Sequence, residues 1–388
     1  MRRHTVLRSA LVASLSITPA CLEPAPDGVA SDVDDADDDG IDDDDDDHID
    51  DIDDLDDLDD LDDDDDDHID DIDDIDDLDD LDDLDDDDLP DEQPDPPPSP
   101  PPDAPPERGP VRSDGCGGEP ATSGSRALRH GGRDRSYLLH VPAGAVAGAP
   151  LPVVVNLHGR TITAEVHEGL TDFSATADVE GFILITPQGV GRTWNGGACC
   201  GEAMEQNIDD VSFIAAVLDD VEGALCVDSA RVFVAGMSNG GYMTYRLACE
   251  LAERFAGAAS VAGPTAVTCD APARPVPVFH LHGTSDNIVP YNGFGGAMSV
   301  EGTTADWVER NSASQTAEVT FDEDDVSCRR WAAVDADSAE VRLCRIDGGG
   351  HQWPGGGTIP GLGRNTDTIN ATEAIWAFFA AQPSRPGG

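Results

Sequence analysis

A serine held between glycines, Gly236-Met237-Ser238-Asn239-Gly240, follows the apolar run 232–235 and precedes a helical stretch at 241–253. Few folds tolerate such a junction. The chain must pass from strand to helix within a handful of residues, and small residues must flank the serine so that the two elements can approach each other. The hydroxyl then stands at the C-terminal edge of a sheet. A helix that starts there must cross back before the next strand begins, which is the connection parallel strands require.

The surrounding sequence repeats that alternation. Strands are expected at 137–141, 153–157, 182–185, 232–235, 258–261 and 278–281, and helices at 168–180, 209–225, 241–253 and 368–381. The fold class is therefore α/β, a mostly parallel, doubly wound sheet with helices on both faces. Two later strands, 328–334 and 340–346, read as a hairpin around the turn 335–338. Asp209 and Asp210, ahead of an apolar-periodic run, read as a helix start and not as metal ligands.

Only part of the 388 residues can form such a domain. About 45 of the 81 acidic residues precede residue 103, in a tract built almost wholly from Asp with scattered Ile and Leu. Apolar residues recur there every third position, at Ile49, Ile52, Leu55, Leu58 and Leu61, a period of neither helix nor strand. The tract is expected to be a self-repelling spacer, followed by a stiff Pro-rich stretch at 90–110. Asp35, Asp37 and Asp39 before Gly40 also suggest weak calcium binding, although the closing Glu of an EF-hand loop is missing. A net charge of −59 excludes nucleic acid and anionic membrane surfaces as partners.

The first residues read as an export signal: Arg2, Arg3 and Arg8, then a short apolar run at 11–17, then Thr18-Pro19-Ala20-Cys21. Two outcomes stay open, lipidation of Cys21 as the mature N-terminus or cleavage after Ala20 and release. The expected organisation is a signal at 1–20, a stalk at 21–112 and one folded catalytic domain at 113–388, secreted or held at the membrane by lipid.

A serine hydroxyl is a weak nucleophile until an imidazole takes its proton, and that imidazole must be held in one tautomer by a carboxylate. After strand 278–281 comes His282-Gly283-Thr284-Ser285-Asp286, and the glycine-rich Gly348-Gly349-Gly350-His351 follows strand 340–346. The candidate triad is Ser238, Asp286 and His351. His282 is the competing base, but its closeness to Asp286 suits a supporting role better. The oxyanion donors expected are the main-chain amides of Arg160, after His158-Gly159, and of Asn239. Trp194, Tyr291 and Trp353 flank these loops as candidates to line the site or to pack it. No metal or cofactor is called for.

Together, Asn156-Leu157-His158-Gly159, Pro187-Gln188-Gly189 with Trp194-Asn195, the Ser238 motif, His282-Gly283-Thr284-Ser285-Asp286 with Val289-Pro290-Tyr291, and Gly350-His351-Gln352-Trp353-Pro354-Gly355 resemble the secreted poly(3-hydroxybutyrate) depolymerase and feruloyl esterase group of α/β-hydrolases. The resemblance implies the α/β-hydrolase fold and serine-catalysed hydrolysis of polymeric or aryl esters. Arg160-Thr161 departs from the smaller residues common there. With about 14 residues between Val261 and Val276, no large cap domain fits, and an open cleft is expected. The alternative from another class is a surface-displayed, calcium-dependent binding protein on a non-catalytic scaffold.

Nine cysteines less Cys21 leave eight to pair in an oxidising compartment. Cys328 and Cys344 are equidistant from the hairpin turn and should bridge, and Cys249 should reach Cys269. Adjacent Cys199 and Cys200 are not expected to bond each other, which leaves Cys116 and Cys226 as their partners in either order.

Overall fold

The computed structural model describes residues 109–385 except 119–121, 270, 271, 273 and 296. The expected signal, Cys21 anchor, Asp-rich tract and Pro-rich stretch lie outside them. Among the described residues the ten strands are β1 (Gly124–His130), β2 (Arg133–His140), β3 (Leu151–Leu157), β4 (Ile183–Pro187), β5 (Val227–Met237), β6 (Gly257–Val261), β7 (Val278–Gly283), β8 (Glu318–Glu323), β9 (Val326–Trp331) and β10 (Val341–Ile346). They form a single sheet in the order β1-β2-β4-β3-β5-β6-β7-β10-β9-β8. From β4 to β10 neighbours are parallel, and each edge ends in an antiparallel pair. The helices are α1 (Ala164–Thr171), α2 (Phe173–Glu180), α3 (Glu202–Glu205), α4 (Asp210–Ala224), α5 (Asn239–Glu250), α6 (Val300–Arg310) and α7 (Ala371–Ala380).

The period-2 alternation of the strands divides the core in two. Val153, Val155, Leu157, Val232, Val234 and Val278 turn to one face, where Phe213, Ile214 and Val217 of α4 and Trp307 of α6 cover them. Val154, Phe233, Ala235, Phe279 and Leu281 turn to the other, under Phe173 of α2 and Ile375, Phe378 and Phe379 of α7. Central strands buried on both sides must be apolar throughout, which is why 153–157 and 232–235 are unbroken apolar runs but for Asn156.

The helix expected at 168–180 is two helices. Asp172 takes a left-handed conformation (φ 51°) between α1 and α2, one that Asp tolerates better than most residues. The break is stitched on both sides: Asn156 Nδ2 donates to Thr171 Oγ1 at 3.1 Å, and Thr372 Oγ1 donates to the Thr171 carbonyl at 2.6 Å.

Cys328–Cys344 and Cys249–Cys269 are disulfides. The expected pairing of Cys116 and Cys226 with Cys199 and Cys200 is not what forms: Cys116 joins Cys226, and Cys199 joins Cys200 across a cis peptide. Geometry along β5 explains this. The segment at 111–113 is hydrogen-bonded to the start of β5, Val111 N–H to Asp228 Oδ1 at 3.0 Å and Ser113 N–H to the Val227 carbonyl at 3.0 Å, which sets Cys116 beside Cys226. Cys199 instead approaches Asn239, just past the other end of β5. Eleven strand residues, about 36 Å at some 3.3 Å each, separate the two places. These contacts also start the fold slightly ahead of residue 113.

Candidate active site

β3, β5, β7 and β10 run parallel, so His158-Gly159, Ser238, Asp286 and His351 all follow C-terminal strand ends along one edge of the sheet. Ser238 occupies a turn with φ 55° and ψ −122°, a conformation that side-chain-bearing residues adopt only where surrounding structure enforces it. Here the enforcement is visible: Ser238 N–H donates to the Val261 carbonyl at 2.8 Å, and its own carbonyl accepts from Tyr242 N–H at 3.0 Å. A side chain at Gly240 would meet the Leu157 carbonyl and one at Gly236 the Gly240 carbonyl, so glycine at both lets α5 close against β3 and β5.

His351 Nδ1 donates to Asp286 Oδ2 at 2.6 Å in a buried pair. The other oxygen, Oδ1, accepts from Ile288 N–H at 2.9 Å and Val289 N–H at 2.8 Å. Burial opposes ionisation of Asp286, but the hydrogens donated by His282 and His351 outweigh it and hold the carboxyl well below its usual range. The histidine loop is held in turn, Ser285 N–H to the Gly349 carbonyl at 2.9 Å and His351 N–H to the Leu362 carbonyl at 2.7 Å.

On the other flank, a Cβ at Gly159 would lie 3.6 Å from Ser238 Cβ, so the peptide leading to Arg160 borders the serine. Asn239 opens α5, where amide hydrogens lack partners within the helix. Its side chain grips Trp194 twice, Oδ1 accepting from the amide at 2.6 Å and Nδ2 donating to the carbonyl at 2.9 Å. His158 Nδ1 donates to the Gly159 carbonyl at 2.8 Å and its Nε2 accepts from Gly189 N–H at 2.9 Å. Burial lowers its pKa to about 4, keeping it neutral and fixing the shape of the turn before Arg160.

The aromatic candidates divide. Trp194 and Trp353 are fully buried and line nothing: Trp194 Nε1 donates to the His158 carbonyl at 3.0 Å, and Trp353 Nε1 to Thr372 Oγ1 at 3.0 Å. Both pack loops. Tyr291 is partly exposed and sends its hydroxyl to Glu301 at 2.9 Å. The apolar hollow beside the site is lined instead by Ala198, Cys199, Tyr242, Ile288, Val289 and Phe294, with Phe294 47% exposed at the rim. Of these only Cys199 and Val289 stand in conspicuous motifs. Ile288 and Phe294 carry no sequence signal beyond their nearness to Asp286.

The prolyl oligopeptidase family (peptidase S9) matches residues 174–273, a minority of the chain that includes the Ser238 turn. A protein described as "Putative esterase NocK", from Nocardia uniformis subsp. tsuyamanensis, is 34% identical over 265 residues, covering 62% of this chain and 76% of that protein. The chain belongs to the serine esterases of the α/β-hydrolase fold. Feruloyl esterase B of Piromyces equi is 30% identical to this esterase over 237 residues, 56% of the chain and 42% of that longer protein. Feruloyl esterase C of Emericella nidulans is 30% identical over 190 residues, 47% of the chain and 65% of its own length. With membership in that family, the reading of the domain as a non-catalytic scaffold falls away.

Proposed function

We propose that the esterase cleaves aryl or polymeric esters through an acyl-enzyme, with Ser238 as nucleophile, His351 as general base and Asp286 as its orienting acid. The observation that carries this is the buried His351–Asp286 pair at 2.6 Å, on the same sheet edge as a serine held at φ 55°. His351 takes the Ser238 proton as Oγ bonds to the ester carbonyl carbon. The amides of Arg160 and Asn239 receive the oxyanion. Collapse breaks the bond to the alcohol, which leaves with the proton from His351, and water then attacks the acyl-serine by the same steps in reverse.

Names of relatives support the substrate class: two are feruloyl esterases, and a Neocallimastix patriciarum protein is a bifunctional acetylxylan esterase/xylanase. The short span from β6 to β7 supports it too, because a site without a cap admits one bond of a large molecule. Export fits such a substrate, with the N-terminal signal directing the enzyme out of the cell, either held by lipid at Cys21 or released by cleavage after Ala20. Turnover of p-nitrophenyl acetate, methyl ferulate and acetylated xylan by wild type and Ser238→Ala tests the reading. Ser238→Ala is expected to lower kcat by at least about 10⁴-fold on every ester that wild type cleaves. Retained turnover would sink it.

A further inference from the structure

Behind Asp286 stands a second histidine. His282, buried on β7, has Nε2 2.8 Å from the Val289 carbonyl and 3.4 Å from Asp286 Oδ2. Its Nδ1 lies 3.0 Å from Nε2 of His280, two residues earlier on the same strand and therefore on the same face. Nδ1 of His280 in turn lies 2.9 Å from the hydroxyl of Tyr245 on α5. All three side chains are buried, and Tyr291 meets the His282 ring edge-on at 5.8 Å.

One arrangement of hydrogens satisfies this chain without charge. A carbonyl only accepts, so the hydrogen of neutral His282 sits on Nε2 and its Nδ1 accepts. His280 must then carry its own hydrogen on Nε2, its Nδ1 accepts, and the Tyr245 hydroxyl donates. Reversing the chain would put a second proton on His282 and turn His280 into a donor toward Tyr245. Burial, and then the neighbouring His282, push His280 well below the usual histidine range, while burial pushes the Tyr245 phenol up. Neither His280 nor the Tyr245 hydroxyl therefore changes its proton count near neutral pH.

We propose that His282 is a positioning residue for ester hydrolysis, a neutral donor locked in its Nε2–H tautomer from Tyr245 through His280, which clamps the 286–289 turn and so aims Asp286 at His351. Val289 is fixed on both sides, its N–H on Asp286 Oδ1 and its carbonyl on His282. Neutrality matters here. An imidazolium at this place would offset the Asp286 charge just when His351 takes up the serine proton, whereas a neutral N–H holds the carboxylate and leaves its charge in place.

This inference rests on the triad reading, and the experiment separates the two. Steady-state kinetics on p-nitrophenyl acetate are measured for the full chain carrying His282→Leu, which cannot donate, His282→Gln, whose amide can reach the Val289 carbonyl, Tyr245→Phe and Asp286→Asn, each well below its unfolding temperature. His282→Leu is expected to lower kcat at least about tenfold with KM within about threefold, and His282→Gln to recover most of the loss. Tyr245→Phe, which keeps the packing, is expected to cost about threefold in kcat. Imidazole nitrogen spectra of the labelled enzyme should show His280 and His282 as neutral Nε2–H tautomers between about pH 6 and 8. Unchanged kcat in His282→Leu, equal losses for Leu and Gln, or an imidazolium at His282 would each overturn the proposal. If Asp286→Asn itself keeps wild-type kcat, the fault lies with the triad. Should His282→Leu not fold, Tyr245→Phe and the spectra decide.

Discussion

Asp209 accepts the amide hydrogen of Ser212 at 3.0 Å and caps α4, whereas Asp210, the next residue, lies buried against Arg135 at 2.8 Å and also accepts from Asn195 N–H at 2.9 Å. Their removal should differ accordingly. Asp209→Ala is expected to cost about 1 kcal/mol, as the loss of a cap does. Asp210→Ala should cost about 3–5 kcal/mol, because it strands a guanidinium in the core and frees the loop next to Trp194. Urea unfolding of the two variants measures the difference, and equal losses would refute it. The sequence shows both as a helix start, which describes Asp209 well. Asp210's partner stands 75 residues earlier on β2, and no local pattern announces so distant a contact. The same limit applies to Trp194 and Trp353, since a tryptophan beside a motif looks alike whether it faces a substrate or the core. Ser238, Asp286 and His351 could be nominated from the sequence because each proposed role needs a particular backbone turn, whose glycines and flanking apolar residues are themselves written in the chain.

The loop carrying His351 hangs between β10 and α7, and Asp325, just ahead of β9, anchors its far side. Asp325 Oδ1 accepts from Thr366 Oγ1 at 2.8 Å and Thr368 Oγ1 at 2.7 Å, and Oδ2 accepts from Arg364 at 2.5 Å. Arg364 also donates to the Asp347 carbonyl, and its own carbonyl accepts from Gly350 N–H at 2.8 Å. Partial burial resists the charge on Asp325, but the donors Thr368, Arg364 and Thr366 outweigh it and hold the carboxyl down at about 2, from an ordinary 3.8. A carboxyl depressed on folding stabilises fully above its unfolded pKa and loses that contribution as pH falls through the folded value. The melting temperature of wild type should therefore fall more steeply than that of Asp325→Asn between about pH 4 and pH 2, and parallel curves would refute the assignment. The hairpin of β9 and β10 was readable from two strand-like runs around the turn 335–338, and its symmetry set Cys328 opposite Cys344. Four elements were not: β1 and β8 are exposed edge strands with little apolar alternation, α3 is a four-residue helix too short to show a period, and α6, Val-Glu-Gly-Thr-Thr-Ala-Asp-Trp-Val-Glu-Arg, carries a glycine and two threonines that obscure its helical period.

Every residue assigned to the site lies between 158 and 351, so removing residues 32–102 should leave kcat/KM on p-nitrophenyl acetate within about threefold of wild type. A deletion that abolished folding would show that the acidic tract supports the domain. The sequence marks a change from Asp-rich and Pro-rich composition to alternating apolar runs, but it does not show the contact of 111–113 with β5, which joins residues more than a hundred positions apart. The last described residues arrive at the same place, where Arg385 N–H donates to the Ala230 carbonyl and its guanidinium to the Ser229 carbonyl at 2.7 Å. Both ends of the described fold are thus moored at the start of β5, while Ser238 and the loops proposed to act with it lie past the opposite strand ends. A pull on the enzyme through the chain ahead of residue 109, as on a particle tethered to a surface and sheared by flow, meets first the hydrogen bonds of 111–113 with β5 and then the Cys116–Cys226 crosslink. Once those hydrogen bonds give way the load falls on a covalent bond, one full strand length from Ser238 and away from the edge that carries the proposed triad.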